Sequence, residues 1–145
     1  MVENFKLYKK LAEDAQQKLN SILELAKRQL DIVANENTEE LVKTTEKRGK
    51  LTEEFNLINE EMSRVLSGIE KNEEVMAYVG SANDAVDKLK NEIYEMTQRV
   101  MKAIKDDMDN CRDNIKNIAE NKEALNSYGR LDYHAESTYF DKRNC

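Results

Sequence analysis

The chain has 145 residues, no proline, four glycines and a formal net charge of -6, which by length makes one domain. That acidic balance argues against a duplex nucleic-acid binder and against adsorption to an anionic membrane, both of which need a basic face. No apolar run approaches the ~20 residues of a membrane span, and Met1-Val2-Glu3-Asn4 lacks the basic start and apolar core of a signal peptide.

Average proline usage of ~5% would supply roughly seven in a chain of this size. With none, and with 36% charged residues and a mean hydropathy of -0.83, the expectation is few, long helices that are wet over most of their circumference. The first segment, Glu3 to Ala34, sets Phe5, Tyr8, Ala12, Ala15, Leu19, Ile22, Ala26, Leu30 and Val33 on one stripe, widened by Leu11, Leu23 and Leu25. Steps of three and four keep such residues on one helix face. Asn35-Glu36-Asn37-Thr38 interrupts the pattern, and Thr38 followed by Glu39 and Glu40 reads as an N-cap with acids in the first turn.

The second helix carries Leu41, Thr44, Arg48, Leu51, Phe55, Ile58, Met62, Val65 and Ile69 at heptad spacing, and the register continues through Asn72, Met76 and Val79. The hairpin turn is therefore expected at Gly80-Ser81, with Gly80 as C′ residue and Ser81 with Asp84 as a capping pair. Gly68 is the competing position. This gives helices over 3–34, 38–79 and 81–128, and it leaves Met76, Tyr78, Val79, Val86 and Leu89 at an end that helix one does not reach. The third ridge runs Val86, Leu89, Ile93, Met96, Val100, Ile104, Met108, Cys111, Ile115, Ile118, Leu125. After Tyr128 the helical ridge stops at Gly129. The tail over 129–145 is rich in aromatics, which a segment that never docks normally lacks.

Catalytic chemistry is not evident. His134 is the sole histidine, so no two-histidine metal site or di-iron helix motif can form. The acids Asp106, Asp107, Asp109 and Asp113 fail the calcium-loop pattern, because a loop starting at Asp107 has Cys111 at position five and Arg112 where glycine is needed. They read as a solvated face. Cys111 lies on the apolar ridge as a packed thiol, and Cys145 is remote from it, so both are expected free in a reducing cytoplasm. The methionines Met62, Met76, Met96, Met101 and Met108 suit core filling better than an adaptable binding face. Arg48, on the seam, either snorkels its head outward or pairs with an acid on helix three or on a partner. No enzyme, cofactor or metal is expected.

The run Leu25-Ala26-Lys27-Arg28-Gln29-Leu30-Asp31-Ile32-Val33-Ala34-Asn35-Glu36-Asn37-Thr38-Glu39-Glu40-Leu41, followed by Glu46-Lys47-Arg48-Gly49-Lys50-Leu51, resembles the junction of the first two helices in flagellar export chaperones of the FlgN type. The ending Ser137-Thr138-Tyr139-Phe140-Asp141-Lys142-Arg143 is similar to the C-termini of some small flagellar chaperone-like proteins. The resemblance covers nearly the whole chain in length and helix layout. It implies a non-enzymatic cytoplasmic chaperone. Such a protein binds the helical C-terminus of a hook-filament junction (axial) protein and delivers it to the type III export gate or its ATPase. It also implies partner contacts in the C-terminal region, for which Ile115, Ile118, Leu125 and Tyr128 are candidates; Tyr133, Tyr139 and Phe140 are added as aromatics of the tail.

The expected architecture is thus all-α: an antiparallel three-helix bundle, or long coiled-coil-like hairpin, with a shorter N-terminal helix and a C-terminal tail. The alternative function is a structural coiled-coil protein or adaptor that forms a homodimer through its apolar helix faces.

Overall fold

The computed structural model describes residues 2–125, with side chains as far as Glu120. Three α-helices fill this span: α1 (Val2–Ala34), α2 (Thr38–Ser67) and α3 (Glu73–Leu125). The chain is an all-α bundle, as the periodicity requires.

The α1–α2 connection closes by backbone chemistry. Asn37 N donates to Ile32 O (3.2 Å) and Glu36 N to Val33 O (3.1 Å), the paired bonds of a Schellman ending. Glu36 takes the left-handed position at φ 58°. Asn37 then serves both helices, because its side chain accepts from Glu40 N at 3.2 Å and caps α2. The N-cap is therefore Asn37, one residue before the expected Thr38, which is the first helical residue and is buried.

The α2–α3 turn lies at residues 68–72, and the expected turn at Gly80-Ser81 is corrected. Gly68 caps α2 and returns its N–H to Val65 O and Leu66 O. Asn72 Oδ1 accepts from Val75 N at 2.9 Å, repeating the Asn37 cap, and Glu73 and Glu74 fill the first turn of α3. Gly80 is an ordinary helical residue, with open space where a Cβ would be. Helices two and three consequently span 30 and 53 residues instead of the more nearly matched lengths expected over 38–79 and 81–128.

The earlier turn also reverses which end is left over. Tyr78 packs edge-on against Phe5 and Tyr8, and Val75, Val79 and Ala82 are buried, so α1 covers the end expected to be bare. Among the described residues, the length of α3 that α1 and α2 do not match lies at its other end. Among the described residues Met108 is the last packed into either core cluster, Cys111 beyond it is also buried, and residues 109–125 continue for ~25 Å at 1.5 Å per residue.

Within the bundle α1 is the spine. It packs along both other helices, whereas the backbones of α2 and α3 hardly approach each other. Side-chain size explains this. The buried face of α1 includes Ala12, Ala15 and Ala26, which let a neighbouring helix come close. The facing seams of α2 and α3 carry Leu51, Phe55, Ile58, Leu89 and Ile93, which hold the two apart. Ion pairs Lys18–Glu54 (2.8 Å) and Arg28–Glu40 (3.2 Å) join α1 to α2. At such exposed positions each contributes at most ~1 kcal/mol.

The interior falls into two apolar clusters. The larger joins Tyr8, Ala12, Leu19 and Ile22 to Phe55, Met62, Ile69, Val75 and Val79. The smaller joins Ile32, Val33 and Leu41 to Val100, Ile104 and Met108. Between them α1 buries Leu23 and Ala26 and then the polar Gln29.

Candidate functional site

Gln29 occupies a seam position of α1, three residues after Ala26 and four before Val33, and is only 3% exposed. A buried amide must be hydrogen-bonded or it costs free energy. Its Nε2 donates to Thr45 Oγ1 (3.1 Å), and its Oε1 accepts from Arg48 Nη1 (2.8 Å). Arg48 Nη2 donates to Thr97 Oγ1 on α3 (2.9 Å). The Thr45 and Thr44 hydroxyls pass their own protons to Leu41 O, at 2.8 and 2.9 Å. One polar layer thus crosses all three helices where α2 and α3 stand apart.

Arg48 therefore neither swings out to solvent nor meets an acid. Its contacts are two neutral oxygens, and no carboxylate of the described residues lies within ion-pair distance. Burial pulls the guanidinium below its ordinary value, because desolvation disfavours the charged form. Five N–H donors are available on a guanidinium, and two are engaged here.

The layer forms the floor of a crevice of about 390 Å³ between α2 and α3. Thr45, Gly49 and Thr52 line one wall, and Val100, Met101 and Ile104 the other. Met101 is 58% exposed, and Tyr94, two helical turns earlier on α3, is 65% exposed. Gly49 leaves the rim open, with no atom within 4 Å of where its Cβ would stand. Chemically this is a slot with one apolar wall and a cationic floor.

The residues expected to bind a partner lie elsewhere. Ile115 and Ile118 are half-buried on α3 beyond the core clusters. Leu125 ends α3, but its side chain, with Tyr128, Tyr133, Tyr139 and Phe140, lies outside the described residues, as do His134 and the tail. Cys111 is 5% exposed and disulfide-bonded. The expectation of a free thiol is thereby corrected; Cys145 is outside the described residues. Sequence reasoning missed Gln29 and Thr97. Gln29 could have been found by stepping the α1 stripe from Ala26 to Val33 through position 29 instead of Leu30.

Among the described residues no cluster of His, Cys, Asp and Glu is arranged to hold a metal ion, and no helix is long and apolar enough to cross a membrane. No family model, curated protein or solved structure matches the chain.

Proposed function

We propose that this protein is a non-enzymatic chaperone that captures an amphipathic helix, and that it acts in the cytoplasm on the C-terminal segment of a hook-filament junction protein before delivering it to the export gate or ATPase. One observation carries the reading: α2 and α3 each lean on α1 and leave a crevice between them, walled on one side by apolar side chains. An amphipathic helix binds by laying its apolar stripe into such a groove. The client class comes from the family resemblance of the helix junction and the C-terminal end.

Calorimetry of the full chain with synthetic C-terminal helices of hook-filament junction proteins tests this. Saturable one-to-one binding is expected, with no binding of N-terminal segments of the same proteins; equal or absent binding of both would end the reading. Deleting 126–145, compared with Cys111→Ser in the full chain to account for the lost disulfide, assigns the contact: unchanged affinity places it on the bundle, and affinity lost in the deletion but not in Cys111→Ser places it on the C-terminal segment with Tyr128, Tyr133, Tyr139 and Phe140.

A homodimer is the second reading, favoured by residues 109–125 running, among the described residues, past both core clusters. Light scattering distinguishes it. A dimer whose formation is lost on truncation at 108 supports self-association, and a concentration-independent monomer supports capture.

A further inference from the structure

The four crevices described on the surface differ in one respect. That beside the α2–α3 turn is lined by Lys6 and Lys9 but also by Glu70 and Glu74. On the α1–α2 side Arg28 is accompanied by Glu24. Between α1 and α3, Lys27 and Arg99 are accompanied by Glu92 and Glu95. Among the described residues lining the α2–α3 crevice, the sole charged one is Arg48. In a chain with 29 acids and 23 lysines and arginines, a half-buried cation facing an opening with no acid of the described residues beside it is the exception.

That exception has a physical consequence. A desolvated guanidinium held, among the described residues, by neutral oxygens alone has from them no compensating charge of the kind buried ions normally have. Its unused N–H donors form a planar fork that matches a carboxylate. Gln29 and Thr97 hold the group from two helices, so its direction is set before anything binds. The walls add a second requirement. Val100, Met101 and Ile104 offer apolar contact within one to two turns of Arg48's level, and about 390 Å³ is room for side chains, not for a whole helix.

We infer that this crevice seats the carboxylate of a glutamate or aspartate carried on the apolar stripe of a partner protein's amphipathic helix, Arg48 binding the carboxylate while Met101 and Ile104 receive its apolar neighbours. The inference rests on the helix-capture reading and names the chemistry of the captured helix. An acid in the middle of an apolar stripe is disfavoured in a self-associating helix, so it also selects for the client over generic apolar helices.

The test uses the full chain and three synthetic amphipathic peptides identical except at the centre of the apolar stripe, where they carry Glu, Gln or Lys. The Glu peptide is expected to bind about ten-fold or more tightly than the Gln peptide, with the Lys peptide weakest. Arg48→Met is expected to erase the difference between Glu and Gln, and Arg48→Lys to keep part of it. Equal affinity of the Glu and Gln peptides, or a preference that survives Arg48→Met, overturns the carboxylate assignment and leaves helix capture standing. Binding of none of the three overturns the inference, while the junction-protein peptides decide separately on capture. Displacement of the Glu peptide by dilute sodium acetate would make this a small-anion site, and a dimer dissolved by Arg48→Met would make the occupant a second copy; either result overturns it. Should Arg48→Met fail to fold, the Arg48 Nε–H resonance of the wild-type chain serves instead. It is expected to shift with the Glu peptide and not with the Gln peptide, and an identical response to both overturns the inference.

Discussion

Gln29 and Arg48 satisfy each other across α1 and α2, so removing either strands the other. Gln29→Leu is expected to destabilise the chain by about 1–3 kcal/mol, because Arg48 loses an acceptor in a half-buried setting. The double variant Gln29→Leu/Arg48→Leu should recover most of that loss, since well-packed apolar replacements of a buried polar pair are often neutral. Denaturant melts of the four-member cycle check this, and purely additive losses would show that the two residues act independently. The tyrosines give a signed pH effect. Burial pushes the Tyr8 hydroxyl up, and burial followed by the Glu13 charge and Tyr8 pushes Tyr78 up. A folded-state value above the unfolded one, ~10, means their contribution is complete below that pH and falls as pH rises through the raised values. Melting temperature should therefore fall above about pH 10, and Tyr8→Phe/Tyr78→Phe should move the onset to higher pH. Superimposable alkaline limbs would contradict it. At this scale the sequence was legible where side chains are apolar, since every α1 stripe residue from Tyr8 to Val33 is buried or half-buried. The polar layer was not, because a glutamine on a seam carries no periodic signal of its own and Thr97 gains its role only from what α2 brings opposite it.

Among the elements, the α2–α3 turn is where reading and structure part. Ile69 and Val79 fall in one heptad register although residues 69–72 lie outside both helices, because the interruption happens to preserve the phase. The evidence against a continuous helix was local: Asn72-Glu73-Glu74 repeats the cap-and-acid chemistry of Asn37 with Glu39 and Glu40. Burial then separates adjacent residues, with Val75 at 3% and Met76 at 51% exposed. Val75→Ala is expected to cost about 1–2 kcal/mol and Met76→Ala less than about 0.5 kcal/mol. Gly80→Ala gives the sharper test by thermal or urea melts. In a helix with open space around it, alanine stabilises by roughly 0.5–1 kcal/mol, whereas a turn glycine at that position would make the same change destabilising.

For the molecule as a whole, three helices were legible from proline content and ridge spacing, and the inequality between α2 and α3 was not. That inequality follows from the turn, and it moves the unmatched length of α3 to the end that holds Ile115 and Ile118. The separation of α2 from α3 was also out of reach, since it depends on alanines of α1 meeting large residues on two different helices at once. The crevice exists because of that separation, and Gly49 at its rim allows it to be closed without touching the core. Gly49→Trp should fold, because nothing stands within 4 Å of the new Cβ, and its melting temperature should stay near that of the wild type. Calorimetry of this variant with a junction-protein C-terminal helix is the most direct measurement: affinity about ten-fold weaker or worse is expected if the helix lies between α2 and α3, and affinity equal to that of the wild-type chain would contradict it.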